Sequence, residues 1–468
     1  MRKTTLLLLI LILPSLLFAQ QRKNTRSKQL VIARVTVIDA TGAPAKPDMT
    51  VLIMGDRIIE LGKSQEIRTP RDAQILDATG KFLIPGLWDM HVHLEFWGKD
   101  AGLPLCIANG VTGVRDMGGD LDLLRQWQKQ IELGTVIGPR IVAAGPILDG
   151  PTPGYPLRIT VKNPAEARQA VASLKKRGVD FIKVHAHLSR ESYFVIADEA
   201  KKRGVTFAGH VPISVPAAEA SDAGQKSIEH LNESALLIDC SSREAELRRG
   251  EGGYQQYLDT YSEGKCQELF SRFRRNGTWQ VPTLVTLRSF AYLRETDPSR
   301  NALMRYVPKK MKESMQNLFD MYFKNRKEEE WAIAKKVYEK DLEMVGAMHR
   351  AGVGLLAGSD AAILAGSYSA VAGFDLHEEL VQLVRAGLTP MEALQAATLN
   401  PARFLGKLDD QGTVEKGKLA DLVLLEGNPL QDINNTKKIN AVIVGGKLIA
   451  KSDLEAMLAK VEAAANKN

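Results

Sequence analysis

The chain has 468 residues, of which 44% are hydrophobic and 25% are charged. This composition is ordinary for a soluble globular protein, and the length suffices for one large domain together with a smaller one. The formal net charge is +7, but the basic residues lie in short, dispersed runs such as residues 201–203 and 309–310. Such runs are typical of solvated helix faces, so they argue against a nucleic-acid-binding stripe, and no nucleic-acid partner is expected.

The first twenty residues predict a secretory signal peptide. Arg2 and Lys3 provide a positively charged start, residues 6–18 are strongly apolar, and Ala19 is a small residue suited to cleavage. The apolar run is short for a membrane span, and no later stretch is long and apolar enough to be one. We therefore expect a secreted or periplasmic protein without stable membrane insertion once residues 1–20 are removed; an uncleaved anchor is the alternative.

The chain has three cysteines. Cys106 lies in an apolar segment and is expected to be buried and inert. Cys240 and Cys266 flank a charged stretch, and in an oxidising compartment they could form a disulfide. Two free thiols are the alternative, and the spacing alone does not decide between them.

Short β segments predominate near both ends of the chain. They contain alternating or β-branched residues, and Gly55-Asp56 marks a turn within one of them. The predicted strands cover residues 30–40, 50–61, 73–77, 420–426 and 441–449. The amino-terminal segment cannot close a hydrophobic core alone, so we expect residues 29–84 and 405–452 to form one composite β-sandwich domain.

Residues 85–404 alternate between predicted strands and predicted helices. One strand ends at His93, and seven more are predicted at residues 111–117, 140–145, 179–187, 205–210, 227–230, 279–286 and 353–360. Eight strand–helix units predict an α/β fold in which residues 85–404 form a (β/α)8 TIM barrel beside the small β-sandwich domain.

Two long, charged segments interrupt the barrel pattern. Residues 241–278 follow the sixth predicted strand, residues 288–340 follow the seventh, and both are predicted to be helical. Loops after barrel strands emerge on the face that carries active sites, so these inserts are expected to cap the site. The alternatives are that they pack on the outer helices or form a subunit contact in a homo-oligomer.

Candidate metal ligands occur at or near several predicted strand ends. Because side chains of a strand alternate between its faces, His91 and His93 point to the same side and form half of a metal site. Further candidates at later strand ends are Lys183, His210, His230 and Asp360. In a barrel these strand ends converge on one mouth. By the same alternation, Glu229 is expected to face away from the ligand position of His230.

Lys183 is flanked by apolar residues in a predicted buried strand. Burial penalises its ammonium form and lowers its pKa, so a neutral amine becomes accessible that can capture carbon dioxide. The resulting carbamate is an anion suited to bridging two divalent cations. A lysine that reaches solvent or forms an ion pair is the alternative.

The chain resembles metal-dependent amidohydrolases of the group that includes imidazolonepropionase and secreted prolidase-like dipeptidases. The resemblance covers residues 30–450. It rests on the motifs PGLWDMHVH (85–93), GVTGVRD (110–116), IEH (228–230), GSD (358–360), NPAR (400–403) and GKLADLV (417–423).

The resemblance implies a site with two divalent cations, and zinc is the expected metal. His91, His93 and Asp360 would hold one cation and His210 and His230 the other, with carbamylated Lys183 as the bridge. Relatives with a single metal use the paired histidines, one later histidine and the aspartate, so the single-metal site remains the alternative.

The substrate is less well defined by the sequence. His187 and Tyr155 are candidate substrate-binding residues. Prolidase-like relatives often have a Gly-Gly-His stretch where this chain has residues 145–155, and a second histidine where it has Pro212. Both departures fall near the substrate and leave the metal ligands unchanged.

These observations predict a hydrolase that cleaves an amide bond, in a short peptide or a cyclic amide, by means of a metal-activated hydroxide. Asp360 would be the catalytic residue, acting first as general base and then as general acid. The partner would be a small-molecule or short-peptide substrate. A lactone or ester hydrolase using the same site, and a non-catalytic metal-binding scaffold, are the alternatives.

Overall fold

The computed structural model describes residues 29–152, 157–295, 301–361 and 371–467. The predicted signal peptide (1–20) and Tyr155 lie outside these ranges. Strands and helices both run through the described residues, so the prediction of a mixed α/β fold is confirmed. None of the described helices combines the length and hydropathy needed to cross a membrane.

The strands of the described residues are, in chain order, β1 (Leu30–Val37), β2 (Lys46–Met54), β3 (Arg57–Lys63), β4 (Gln74–Asp77), β5 (Phe82–Pro85), β6 (Leu87–Val92), β7 (Val111–Asp116), β8 (Arg140–Ala143), β9 (Ile147–Asp149), β10 (Arg158–Thr160), β11 (Ile182–Val184), β12 (Phe207–Gly209), β13 (Ser227–Glu229), β14 (Trp279–Val281), β15 (Leu422–Leu425), β16 (Ile439–Val444) and β17 (Lys447–Ala450).

The α-helices of the same residues are α1 (Leu94–Trp97), α2 (Lys99–Ala108), α3 (Leu121–Glu132), α4 (Pro164–Lys176), α5 (Arg190–Lys202), α6 (Ala217–Asp222), α7 (Leu236–Asp239), α8 (Glu244–Arg248), α9 (Tyr254–Asp259), α10 (Glu263–Asn276), α11 (Leu284–Ala291), α12 (Lys309–Tyr322), α13 (Glu328–Arg350), α14 (Phe374–Arg385), α15 (Pro390–Ala396), α16 (Leu399–Phe404) and α17 (Lys451–Ala465).

One eight-stranded sheet contains strands from both ends of the described chain. Its order is β17-β16-β15-β5-β1-β2-β3, and β4 pairs with β1. The two chain ends meet where β15 runs antiparallel to β5, with Val423 opposite Ile84. Buried side chains of β1, β2, β5, β15 and β16 form a hydrophobic cluster of their own, which includes Ile32, Val51 and Leu424.

Two parallel sheets alternate with helices in the middle of the chain. Their orders are β6-β7-β8 and β10-β9-β11-β12-β13-β14. Leu355 forms a parallel bridge with Gln280 of β14, and Ala361 forms one with Val92 of β6. The segment 355–361 therefore lies between the two sheets on one side. On the other side, the backbone N–H of Asp180 donates to the carbonyl of Ala143 at the end of β8.

Two predicted strands are shorter in the structure than the sequence suggests. The strand predicted at 279–286 ends at Val281, because Pro282 has no N–H to donate and Thr283 adopts a φ of 45°, after which α11 begins. The strand predicted at 353–360 keeps only isolated bridges. There the N–H of Ala357 donates to Ala396 of α15, which interrupts a regular ladder.

Both charged inserts are helical over much of their described length. Residues 241–278 contain α8, α9 and α10, and residues 288–340 contain α12 and part of α13. A disulfide joins Cys240, just after α7, to Cys266 in α10, with the Cα atoms 4.8 Å apart. It fixes the first insert to the segment that follows β13. Cys106 is buried and free.

We expect the disulfide to contribute to the free energy of unfolding by limiting the unfolded chain. It closes a loop over a sequence separation of 26 residues, so the Cys240→Ala/Cys266→Ala variant should lose roughly 3 kcal/mol in equilibrium denaturant unfolding. A reductant should lower the unfolding midpoint of the wild type and leave that of the double variant unchanged. Equal midpoints for the oxidised wild type and the double variant would contradict this.

Candidate metal centre

The six predicted ligands lie together at the carboxyl ends of the parallel strands. His91 is the penultimate residue of β6 and His93 follows that strand; Lys183 is the central residue of β11. His210 follows β12 and His230 follows β13, while Asp360 precedes the bridge between Ala361 and β6. The ring centroids are 4.4 Å apart for His91 and His230, and 5.0 Å apart for His210 and His230.

His91, His93 and Asp360 present their ligand atoms to one point. The Asp360 Oδ1 lies 3.5 Å from His91 Nε2 and 3.7 Å from His93 Nε2. Two ligands bound at about 2.1 Å to a tetrahedral cation lie roughly 3.4 Å apart. The buried His91 Nε2 has no hydrogen-bond partner among the described residues. Both observations fit a divalent cation held by these three residues.

The opposite ring nitrogens of three histidines are already engaged. The Nδ1–H of His93 donates to the carbonyl of Gly118 at 3.0 Å, and that of His91 donates to Glu229 at 2.8 Å. His230 Nδ1 is 2.7 Å from the Thr283 hydroxyl. These contacts leave Nε2 of each ring for another partner, which is the arrangement that metal-binding histidines require.

His210 completes the second half of the site. Its Nδ1 is buried and makes no hydrogen bond to a described residue, and it lies 3.4 Å from the Glu233 Oε1. A buried imidazole nitrogen that lacks a hydrogen-bond partner among the described residues and lies next to a carboxylate fits a second cation position. Burial holds the pKa of all four histidines below its ordinary value, and the positive charge of Lys183 lowers it further, so the rings are neutral and able to act as ligands.

Lys183 is buried to 1% exposure, and desolvation lowers its pKa to about 8. A neutral amine is therefore accessible near physiological pH. The burial argues against the alternative of a lysine that reaches solvent. Desolvation acts in the opposite direction on Asp360, whose pKa it raises to about 8.

The backbone holds Asp360 in an unusual conformation. Its φ is 51°, and its N–H donates to the carbonyl of His91 at 2.8 Å. The preceding Ser359 donates from both its N–H and its hydroxyl to the Asp89 carboxylate, at 2.9 and 2.5 Å. Gly358 permits this close approach, because a Cβ there would lie 2.9 Å from the Cβ of His91. Asp89 thus ties the loop of Asp360 to β6.

A left-handed turn follows β13. Residues 230–234 all have positive φ, between 49° and 64°, although none is glycine. Each such residue costs about 1–2 kcal/mol, so other contacts must hold the turn. Asn232 accepts from the N–H of Val211 at 2.8 Å and donates to its carbonyl at 2.9 Å. The Ser234 hydroxyl donates to Asp341 at 2.6 Å.

This turn explains why the predicted orientation of Glu229 is wrong. Strand alternation holds only while the backbone is extended, and it is lost at His230, where φ is 57°. The Glu229 carboxylate does not face away from the site but contacts His91, Arg115 and Ser227. The sequence signal that could have located it is Arg115 in the GVTGVRD motif, a buried cation that needs a buried anion.

A second cluster adjoins the first. The buried Asp149 carboxylate lies 3.2 Å from His185 Nδ1 and 3.4 Å from His187 Nδ1, and the His185 ring stacks on His210 with centroids 4.2 Å apart. Arg158 also donates to the same carboxylate oxygen at 2.6 Å. Because the Arg158 guanidinium already binds the Asp149 carboxylate, we interpret Asp149 as a residue that holds the two histidines in position. The His187 side chain is 55% exposed.

The chain is similar in sequence and in fold to known proteins. The profile of the amidohydrolase family matches residues 82–449. The chain is 25% identical to ochratoxinase from Aspergillus niger over 505 aligned positions, covering 91% of this chain and 90% of that protein. Its fold is similar to that of bottromycin amidohydrolase, with a TM-score of 0.74, 21% identity and coverage of 94% of this chain and 91% of that chain. A Xaa-Pro dipeptidase with methionine in its active site gives a TM-score of 0.65, 22% identity and coverage of 90% of this chain and 100% of that chain.

The left-handed turn supplies a test. The Asn232→Ala variant loses two hydrogen bonds to Val211, so we expect its free energy of unfolding to fall by about 2 kcal/mol. Urea unfolding of the metal-free protein measures this change. Asn232→Asp keeps the acceptor for the Val211 N–H and loses the donor, so it should lose about half as much. An Asn232→Ala variant as stable as the wild type would show that other contacts hold the turn.

Proposed function

The chain belongs to the amidohydrolase family and is an enzyme that hydrolyses amide bonds. On this premise we propose that it is a metal-dependent hydrolase of short peptides or cyclic amides. The observation that carries the proposal is the spacing of His91, His93 and Asp360 around the unpartnered Nε2 of His91. Two imidazole nitrogens and a carboxylate oxygen, buried and at this spacing, are typical ligands of a divalent cation.

The proposal extends to the fold. The two parallel sheets would be the arcs of one (β/α)8 barrel, and the bridges at Leu355 and Ala361 support this arrangement. Trp88 of β6, Val281 of β14 and Leu356 share a buried cluster, as inward-facing residues of one barrel would. The eight-stranded sheet would belong to a separate β-sandwich domain formed by residues 29–84 and 405–452.

We further propose that the site holds two divalent cations, with zinc as the expected metal. His91, His93 and Asp360 would hold one, His210 and His230 the other. When bound, such cations supply an activated water and polarise the carbonyl of the substrate. Asp360 would accept a proton from the attacking water and return it to the leaving nitrogen.

Lys183 would bridge the two cations as a carbamate. The neutral amine adds to the carbon of carbon dioxide, a C–N bond forms, and one proton is released to solvent. The product carries one negative charge where the ammonium carried one positive charge. This change removes the repulsion between Lys183 and bound cations, and the low pKa of the buried amine favours it.

The relatives suggest the class of substrate. Ochratoxinase, bottromycin amidohydrolase and a Xaa-Pro dipeptidase are named for small or peptide substrates. A small-molecule or short-peptide amide is therefore proposed here. The helical inserts at residues 241–278 and 288–340 would restrict access to the site, because they follow β13 and β14.

Metal content gives the first test. We expect two ions per wild-type chain by elemental analysis after purification with zinc and bicarbonate, and amide hydrolysis in a panel of dipeptides, N-acyl amino acids and cyclic amides. Lys183→Ala should lose bound metal and activity together, because the bridge is gone. Asp360→Asn should lose at least 100-fold in activity and retain part of the metal.

The matched control is Asp375→Asn, which changes a buried carboxyl of α14 outside the site and should retain both metal and activity. One ion at full activity would contradict the binuclear site. Hydrolysis of lactones or esters without amides would favour the alternative chemistry, and a fully loaded protein inert to every compound would favour a scaffold.

We also propose that the protein is exported, on the strength of residues 1–20. Amino-terminal sequencing of protein from the native host should then find a mature chain that begins near Gln20 or Gln21. The reason is that Ala19, a small residue, directly follows the apolar run, and a signal peptidase cleaves after small residues at such positions. Soluble cytoplasmic protein that still carries Met1 would contradict export.

A further inference from the structure

We propose that Glu229 is a positioning residue that fixes His91 for metal binding. This inference rests on the proposed metal-dependent function. The Glu229 side chain is fully buried, and its Oε2 accepts from the Nδ1–H of His91 at 2.8 Å. Asp360 lies against the Nε2 side of the same ring. Glu229 and the proposed cation would therefore occupy opposite ends of one imidazole.

The contact has two consequences for His91. A carboxylate can only accept, so it places the proton on Nδ1 and leaves the Nε2 lone pair for a cation. The negative charge next to Nδ1–H also increases the basicity of Nε2 and strengthens it as a ligand. His93 receives the same tautomer from the carbonyl of Gly118, but without a formal charge. Of these two ligands, His91 is thus the one with the ionic partner.

Glu229 is itself held rigidly. Arg115 donates from Nη2 to both carboxylate oxygens at 2.9 Å, and the Ser227 hydroxyl donates to Oε1 at 2.5 Å. Arg115 in turn donates from Nε to the carbonyl of Met90 at 2.7 Å. Its guanidinium carbon lies over the rings of Phe181 and Phe404, 5.5 and 5.1 Å from their centroids.

These contacts connect three strands. His91 and Met90 are in β6, Arg115 is in β7, and Ser227 and Glu229 are in β13. Glu229 also precedes His230 in the chain. The same residue therefore orients a ligand of the first proposed cation by its side chain and adjoins a ligand of the second by its backbone.

A purely structural role, in which Glu229 only balances the charge of Arg115, would leave metal affinity unchanged. The two roles are separated by the zinc affinity of the full mature chain, measured by competition with a chromophoric chelator. We expect Glu229→Gln to bind zinc about 10- to 100-fold more weakly than the wild type. The visible spectrum of the cobalt-loaded variant should also differ from that of the wild type, since the geometry at His91 changes.

The control is Glu379→Gln, which removes a fully buried carboxyl of α14 that accepts from the N–H of Val285 and touches no proposed ligand. It should bind zinc like the wild type. If Glu229→Gln fails to fold, Glu229→Asp replaces it, because the shorter carboxylate keeps the charge that Arg115 needs while its oxygen withdraws from His91. This variant should also lose zinc affinity.

The outcomes separate this inference from the proposed function. Zinc affinity within twofold of the Glu379→Gln control, in either folded Glu229 variant, overturns the positioning role and leaves the metal-dependent function standing. A wild type that binds no zinc or cobalt overturns both. Weaker binding in a Glu229 variant, with an altered cobalt spectrum and an unchanged control, supports the positioning role.

Discussion

Desolvation of the groups at the strand ends is the constraint on which the rest of the site depends. Four histidines, Lys183 and Asp360 share a volume from which water is largely excluded. Burial lowers the pKa of the lysine to about 8 and raises that of the aspartate to about 8. The histidines are kept neutral by the same effect. Buried polar groups without hydrogen-bond partners are costly unless something replaces the lost water, and divalent cations would do this for imidazole and carboxylate ligands.

The protein holds these donors with strained or closely packed backbone. Residues 230–234 form a left-handed turn without glycine, and Asp360 also has a positive φ. Gly358 lets its segment approach His91. Such conformations persist only where surrounding contacts enforce them, here Asn232 with Val211 and Asp89 with Ser359. This backbone strain is concentrated next to the predicted metal ligands. The proposed reaction requires those side chains to be held in fixed positions.

The sequence predicted the general fold and the meeting of the ligands better than it predicted local backbone. Strand periodicity placed His91 and His93 on one side, and the structure brings Lys183, His210, His230 and Asp360 to the same place. The predictions failed where the backbone is no longer extended, because side chains there do not alternate between the two faces of a strand. The predicted orientation of Glu229 was wrong because the backbone adopts a left-handed conformation at the next residue, His230. The strand predicted at 279–286 ends before Pro282. β9 and β10 were missed because they lie in and just after a stretch rich in glycine and proline, residues 145–154, which is typical of a loop. The sequence could not decide whether Cys240 and Cys266 form a disulfide, because this depends on the distance between them in the folded chain.

A single diffraction experiment tests the central claim most directly. Crystals of the wild-type protein grown with zinc and bicarbonate, with data collected above and below the zinc absorption edge, would locate each bound ion and show the chemical state of Lys183. We expect two anomalous peaks, one between His91, His93 and Asp360 and one beside His210 and His230, with carboxylate density on the Lys183 Nζ between them. One peak next to an unmodified Lys183 would contradict the binuclear site.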